Sequence, residues 1–345
     1  MPQSAASPDH PIAVLDGWRG ISILCVLAAH LLPLGPSRFH LNSSVANLGM
    51  VMFFTLSGYL ITSTLLHRPN VTDFLIRRLC RIVPLAWLYL LFALPLTGAP
   101  LAHYPPMFFF YGNLPHFTFD PIDAPFWSLC VEMQFYLFVA LIAALFPRRW
   151  PLLLPVAALS VTLARILSHT GISIVTWLRA DEILAGGILA LLLAHRRSSD
   201  DPANPAANAL TSRATTAPFS VLLFSLVLLL LFLACQSRSG PLQFLRPYLS
   251  ATMIGLTLLA PRHSFYTLLR TRLLRFIASI SYSLYVLHST MMVGWFDPVS
   301  KVLKYERRAL GFPILFFFGW ISTRFWESHW IAFGKSLIRR RHPIA

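Results

Sequence analysis

The sequence predicts an all-helical integral membrane protein, a bundle of about ten transmembrane helices forming one domain over residues 1–345. Three observations predict this class. Hydrophobic residues make up 56% of the chain and charged residues 12%, the mean hydropathy is +0.64, and apolar runs follow one another to the end. The net charge of +15 comes from short basic clusters beside those runs. This pattern indicates contact with a lipid bilayer rather than nucleic-acid binding.

The predicted elements are the apolar runs, each near the twenty residues that a span needs. They lie at 15–35, 44–66, 79–97, 126–146, 150–168, 181–195, 218–236, 243–260, 276–296 and 309–333. The connection at 98–125 is long and rich in Pro and aromatic residues, so we expect it to line an entrance. The connection at 196–217 is rich in Ala, Ser, Thr, Asn and Pro, which predicts a disordered cytoplasmic linker.

Basic residues in alternate connections predict the orientation. The side that holds the amino terminus carries 18 Lys and Arg residues, and the other side carries 7. Because cytoplasmic loops carry the excess of Lys and Arg, both termini are predicted to be cytoplasmic. This arrangement requires an even number of spans, as ten would be.

The polar step from Asp16 to Gly20 leads into the first apolar run, which ends in His30. Arg19 and His30 are eleven residues apart, about three helical turns, so their side chains share one face, roughly 16 Å apart along the axis. About fourteen unbroken apolar residues follow these charges, fewer than a span needs. We therefore expect Asp16 and Arg19 to lie in a polar recess within the bundle.

Ionisable residues within spans are costly and are therefore functional candidates. His30, Glu132 and His288 all fall in the outer halves of predicted spans. A carboxylate beside a histidine sets its tautomer and stabilises its protonated form, so we expect Glu132 to support His30 as a general base. The alternative is that these residues are hydrogen-bond bridges between helices.

Arginines form a second group of candidates at the start of the third run. Arg78 and Arg81 are three residues apart and share a helix face, so both can bind one anion, such as the phosphates of a cytoplasmic donor. The alternative is the basic collar of a membrane helix in contact with lipid head groups. That alternative is favoured for the clusters at 148–149, 270–275 and 339–341.

Five segments carry a resemblance to a known family. They are LDGWRGISILCVLAAH at 15–30, MFFTLSGYLI at 52–61, RRLCRIVPLAWL at 77–88, FWSLCVEMQFYL at 126–137 and SYSLYVLH at 281–288. In this order they resemble the acyltransferase 3 family of membrane O-acyltransferases, which modify cell-surface polysaccharides and some secondary metabolites. The family motifs fall on three sets of residues: Arg19 and His30 (Arg-x10-His), Arg78 and Arg81 (Arg-x-x-Arg), and Trp127, Ser128 and Glu132 (Trp-Ser-x-x-x-Glu).

The resemblance implies transfer of an acyl group, usually acetyl, from cytoplasmic acyl-CoA to a hydroxyl of an extracytoplasmic glycan or glycosylated metabolite. Acyl-CoA is then a donor substrate, and we expect neither a permanently bound cofactor nor a metal. The implied location is a bacterial inner membrane, with polysaccharide-synthesis proteins as further partners. In this interpretation Arg78 and Arg81 hold the donor phosphates and Arg19 orients the donor. His30 is the base, and Tyr285 and His288 are further candidates.

The chain departs from the commoner family pattern at two places. Met50 and Met52 stand where an acidic residue often precedes Phe-Phe, and Met133 stands where Glu often follows Glu132. Some members carry a hydrolase-like domain at the carboxyl end. Because this sequence ends at Ala345, we expect none here.

Two other functions and two mechanisms stay open at this point. A proton-coupled transporter of a lipid-linked sugar would also place His30 and Glu132 in the membrane as a relay. A non-catalytic scaffold for polysaccharide synthesis would use them only as hydrogen-bond bridges. For an acyltransferase, the motifs do not separate direct transfer from an acyl-His30 intermediate.

Overall fold

The computed structural model describes residues 10–199, 217–236, 239–259 and 264–342, and within these ranges all regular structure is helical. The helices are α1 His10–Leu31, α2 Leu41–His67, α3 Val71–Leu96, α4 Tyr104–Phe108, α5 Phe126–Leu145, α6 Trp150–Leu167, α7 Asp181–Ser199, α8 Ala217–Ala234, α9 Arg246–Leu259, α10 Arg272–Ser279, α11 Ser281–Leu287, α12 Lys301–Ile321 and α13 Ser328–Arg341. Shorter 3-10 turns join several of them. The all-helical class is therefore confirmed.

The predicted count of about ten spans is not confirmed. Six stretches of the described chain are long and apolar enough to cross a membrane: Ala13–Leu31, Leu41–His67, Val71–Leu96, Phe126–Leu145, Trp150–Leu167 and Lys301–Arg341. The apolar part of α8, Val221–Ala234, is shorter. The last stretch exceeds the predicted run at 309–333, because α12 continues through a π-helical turn at Ser322–Glu327 into α13.

The predicted span at 276–296 is wrong as one helix. The chain leaves α10 at Ser279 and begins α11 at Ser281, and α11 passes into a 3-10 turn at His288–Met292. Two serines lie at the first break. The hydroxyl of Ser279 donates to the carbonyl of Phe276, and that of Ser281 donates to the carbonyl of Ala278. Such bonds compete with the helical ladder of the backbone.

The predicted linker at 196–217 lies mostly outside the described residues. Its first residues, 196–199, continue α7, and Ala217 begins α8. The third helix also differs from its prediction, because α3 begins at Val71 rather than near 79. As a result, the arginines at 77–81 lie inside a helix from the start.

Helix α2 lies between α1 and α7, and the backbones approach closely where glycines occur. A Cβ on Gly58 would lie 1.8 Å from the carbonyl oxygen of Ile183 in α7. A Cβ on Gly17 of α1 would lie 2.1 Å from the carbonyl oxygen of Leu269. Small residues allow this close packing of apolar helices, for which lipid supplies no hydrophobic drive. The contacts hold α1, the helix with the Arg-x10-His motif, firmly within the bundle.

Basic side chains collect near the two ends of α1. Lys335 of α13 lines a cavity together with Arg77, Arg78 and Arg81 of α3, at the end where Arg19 lies. Arg308 of α12 reaches the other end of α1. The topology count assigns these two groups to opposite sides of the membrane, and the structure separates them in the same way. Which side is cytoplasmic stays a prediction.

Candidate active site

Three arginines from two helices line one cavity. Arg19 comes from α1, and Arg78 and Arg81 come from one face of α3, as their spacing predicts; the cavity has a volume of about 110 Å³. Arg78 and Arg81 also line a neighbouring cavity of about 230 Å³, together with Arg77 and Lys335. The recess predicted for Arg19 is therefore present, and it continues between α3 and α13.

The cations of these cavities are poorly neutralised. Within the described ranges, no carboxylate forms an ion pair with Arg78 or Arg81. Arg19 has one partner, Asp16, whose oxygen lies 3.2 Å from its guanidinium. The guanidinium of Arg78 lies 5.6 Å from the ring centre of Tyr136, a cation–π contact that holds it at the cavity. Such an excess of guanidinium groups suits an anion with several charges.

Glu132 belongs to this cavity and not to the histidines. Its carboxylate, 4% exposed, accepts hydrogen bonds from the hydroxyls of Ser57 and Tyr136, the latter at 2.6 Å. The predicted pairing of Glu132 with His30 is therefore not what the structure shows. The reason is its level in the bundle: Glu132 lines the cavity that Arg19 lines, whereas His30 lies eleven residues further along α1, roughly 16 Å along the axis.

His30 lies instead against His288. The Nδ1 atom of His30 is 2.9 Å from Nε2 of His288, and the ring planes are 1° from parallel with centres 5.1 Å apart. The distance between the ring centres exceeds the distance between the two nitrogens by close to two ring radii. The two rings therefore lie edge to edge, with Nδ1 of His30 facing Nε2 of His288. His288 is fully buried, whereas His30 keeps partial exposure. The histidines predicted at one depth are thus in direct contact.

Tyr285 and Ser128 anchor the turn that carries His288. The Tyr285 hydroxyl donates to the carbonyl of Pro125 at 2.7 Å and lies 2.5 Å from the Ser128 hydroxyl. One turn further on, Ser289 meets the hydroxyl of Tyr89 at 2.8 Å. These bonds connect α11 to the start of α5 and to α3. Ser128 and Tyr285, both sequence candidates, therefore lie next to the histidine pair.

Arg308 holds the other histidine and was missed by the sequence analysis. Arg308 is 5% exposed, and its guanidinium donates to the carbonyls of His30 and Leu31, at 3.2 and 3.4 Å. These carbonyls end α1 and lack helical partners, so a cation there is favourable. The sequence counts Arg308 as a loop charge because it precedes the last apolar run. The sequence does show a basic residue directly before this apolar run, and the two belong to one helix.

Trp127 lies apart from the arginine cavity and from the histidine pair. It packs against a buried ionic group. The guanidinium of Arg179 is 5.2 Å from the Trp127 ring centre, and its Nε is 3.1 Å from Glu182. Glu182 also pairs with Arg246 at 2.7 Å. Burial lowers the pKa of Arg179 to about 10, and the Glu182 carboxylate opposes that shift. Trp127 thus packs on a structural ion group at the start of α7.

Aromatic contacts connect the arginine cavity with the histidines. Phe53 of α2 lines the cavity, and its ring stacks on Tyr285 with centres 6.0 Å apart and planes 9° from parallel. The ring centre of Tyr285 is 5.6 Å from that of His288. Phe53 and Tyr285 therefore form an apolar wall between the arginine cavity and His288.

The connection at 98–125 contains one group of side chains with metal-ligating atoms. His103, Asp120 and Asp123 place such atoms within 4.8 Å of one another. His103 already pairs with Asp123 at 2.6 Å, and Asp123 accepts the backbone N–H of Asp120 at 2.7 Å. These contacts account for the group as an anchor of the loop. Burial raises the pKa of Asp123, and the bond to His103 opposes the shift. The predicted role of the loop as an entrance stays a prediction.

Comparison with known proteins decides the family. The model of acyltransferase 3, described as an acyltransferase domain, matches residues 12–326. The chain belongs to the acyltransferase 3 family. The matched residues include both histidines and the arginines of α1 and α3, whereas Lys335 in α13 lies beyond them.

Two relatives are named for peptidoglycan acetylation. Peptidoglycan O-acetyltransferase OatA of Listeria monocytogenes is 26% identical over 329 residues, covering 79% of this chain and 48% of the relative. The putative peptidoglycan O-acetyltransferase YrhL of Bacillus subtilis is 31% identical over 150 residues, covering 36% of this chain and 22% of the relative. The chain thus spans half or less of the length of these relatives. No solved structure matches it significantly.

Proposed function

We propose that this protein is a membrane O-acyltransferase that moves an acyl group, acetyl in the first instance, from cytoplasmic acyl-CoA to a hydroxyl of an extracytoplasmic glycan. Membership of the acyltransferase 3 family supports the class of reaction. The observation that carries the mechanism is the arrangement along α1, with a cavity of three arginines at one end and paired histidines at the other.

The arginine cavities suit the phosphates of the donor. Arg78 and Arg81 line both cavities and have no described carboxylate partner, so an incoming phosphate would not have to break an ion pair. Guanidinium groups bind phosphate through paired hydrogen bonds. Arg19, at the inner side, would orient the donor. The cavities are small, so they would hold phosphates while an extended thioester arm follows the apolar wall toward His30.

His30 would act as the base on the acceptor hydroxyl. It is the partly exposed member of the histidine pair and lies near the end of α1 that is predicted to be on the outer side. Glu132 then belongs with the donor side: its carboxylate among three arginines would orient their guanidinium groups rather than touch His30. The named relatives make peptidoglycan the first acceptor to try.

The donor site is tested by replacing Arg78 and Arg81 together with Ala. The matched control replaces Arg148 and Arg149, an exposed pair in the basic collar. Each lost charged hydrogen bond costs about 1.5–3 kcal/mol, so the loss of one from each arginine should raise the KM for acetyl-CoA about 10²- to 10⁴-fold in the first variant and leave it unchanged in the control. Equal KM values in the two variants would return Arg78 and Arg81 to the role of lipid contacts.

The base is tested with His30→Ala, compared with His67→Ala at an exposed histidine of α2. Transfer of labelled acetyl groups to glycan should fall by about 10²–10⁴-fold in the first variant only. Incubation with labelled acetyl-CoA in the absence of acceptor separates the two mechanisms, because an acyl-His30 intermediate leaves label on the protein and direct transfer leaves none. A transporter would move sugar without any use of acetyl-CoA.

A further inference from the structure

Resting on this proposed function, we propose that His288 is a positioning residue that sets the proton on His30, so that Nε2 of His30 is the reacting atom. In this assignment His288 does the work that Glu132 was expected to do.

A backbone carbonyl determines which nitrogen of His288 carries the hydrogen. The Nδ1 atom of His288 lies 2.6 Å from the carbonyl oxygen of Tyr285. A carbonyl oxygen only accepts hydrogen bonds, so Nδ1 of His288 must carry the hydrogen. In a neutral imidazole the other nitrogen, Nε2, then holds the lone pair. The backbone of α11 thus selects one tautomer of His288.

His288 in turn determines which nitrogen of His30 carries the hydrogen. Nε2 of His288 accepts, so Nδ1 of His30, 2.9 Å away, must donate. The edge-to-edge placement of the two rings aligns this N–H···N bond. The remaining nitrogen of His30, Nε2, is therefore unprotonated and points away from His288. A base needs such a lone pair directed at its substrate.

The pair is held on both sides. Tyr285, whose carbonyl begins the series, is bonded through its hydroxyl to Pro125. Arg308 binds the carbonyl of His30 itself at 3.2 Å. His288 is fully buried, so water does not compete for its two hydrogen bonds. These contacts fix the position of each ring as well as its tautomer.

The chemical step balances with this arrangement. The O–H bond of the acceptor breaks and its proton goes to Nε2 of His30, while the oxygen forms a bond to the acyl carbon. The carbon–sulfur bond of the thioester then breaks, its electron pair leaves on sulfur, and the thiolate takes the proton back from Nε2. Throughout, His288 keeps the Nδ1–H of His30 hydrogen-bonded. A neutral partner stabilises the imidazolium less than a carboxylate would, which favours return of the proton to the thiolate.

Two replacements of His288 separate positioning from packing. In His288→Gln, the amide oxygen accepts from His30 and the amide N–H donates to the Tyr285 carbonyl, so the tautomer is retained. In His288→Leu, both bonds are lost. We expect kcat to fall about 100-fold with Leu and less than tenfold with Gln, with the KM for acetyl-CoA unchanged in both. Equal losses in the two variants, or full activity with Leu, would overturn the assignment.

Nitrogen NMR of the wild-type chain tests the tautomer without any need for activity. In protein labelled with ¹⁵N-histidine, the signals absent from His30→Gln identify His30. They should show a protonated Nδ1 and an unprotonated Nε2, whereas the opposite tautomer overturns the proposal even if His288→Leu does not fold. A wild-type protein that transfers no acyl group refutes the proposed function instead, so the two failures are distinguishable.

Discussion

Replacing Arg308 with Gln should loosen the end of α1 and lower acyl transfer. The guanidinium makes two charged hydrogen bonds to the last carbonyls of the helix, at 3.2 and 3.4 Å. Charged hydrogen bonds contribute about 1.5–3 kcal/mol each, and these two are long, so the lower value applies. Gln restores one neutral bond. The expected loss is therefore about 2 kcal/mol, concentrated at the turn that carries His30.

Loss of the second partner of Arg308 adds little to this value. Asp297 lies 3.5 Å from the guanidinium, but it is 39% exposed and is also paired with Lys304. Exposed ion pairs contribute at most about 1 kcal/mol. The effect of Arg308→Gln should therefore come from α1 rather than from the surface beside α12.

Two measurements check this prediction. Hydrogen exchange followed by mass spectrometry should show faster exchange in the peptide that ends at Leu31, and acetyl transfer should fall about tenfold through kcat. The matched control is Arg307→Gln, because Arg307 donates to the carbonyl of Trp295 instead. If the two variants exchange alike at the end of α1, Arg308 does not cap that helix and the reasoning fails.

The remaining predictions concern the buried ion group of Glu182 and the loop carboxylate Asp123. Glu182→Gln leaves two buried arginines without their carboxylate, which costs about 3–5 kcal/mol. Thermal unfolding in detergent should show a large loss, and a melting temperature equal to wild type would contradict the ionic network. Asp123 has a pKa raised above its ordinary 3.8 by burial, so its contribution to stability is present below that pH and is lost as pH rises through the raised value. Relative to Asp123→Asn, the wild type should therefore lose unfolding free energy as the pH rises over that range. If the unfolding free energies of the two proteins change with pH in the same way, Asp123 does not contribute to the pH dependence.

Helical periodicity predicted the parts of the site that lie on one helix. Arg19 and His30 share a face because both belong to one unbroken helix, and Arg78 and Arg81 line the same cavities for the same reason. Spacing along a helix is set by backbone geometry alone, so no tertiary knowledge was needed. The family motifs identified the same residues.

Depth across helices was not predictable in this way. The expected contact between Glu132 and His30 assumed that spans begin at a common level, but Glu132 lies at the level of Arg19, whose cavity it lines. At the break before α11, serine hydroxyls bond to nearby carbonyls, and hydropathy does not take account of such bonds. This break gives α11 and its 3-10 turn a path along the end of α1, which brings His288 to His30.

Because both ends of the site lie on α1, their separation is set by the rise of one helix, roughly 16 Å, and does not depend on a hinge. The arginines would bind the phosphates of the donor, whose charge is the same before and during the reaction. Replacing an arginine should therefore weaken donor binding and raise KM. The histidine pair would stabilise charge that develops only as the proton moves to His30. Replacing either histidine should therefore lower kcat. A variant of Arg78 combined with one of His288 should therefore show multiplicative effects on kcat/KM, as expected for distant residues that share no partner.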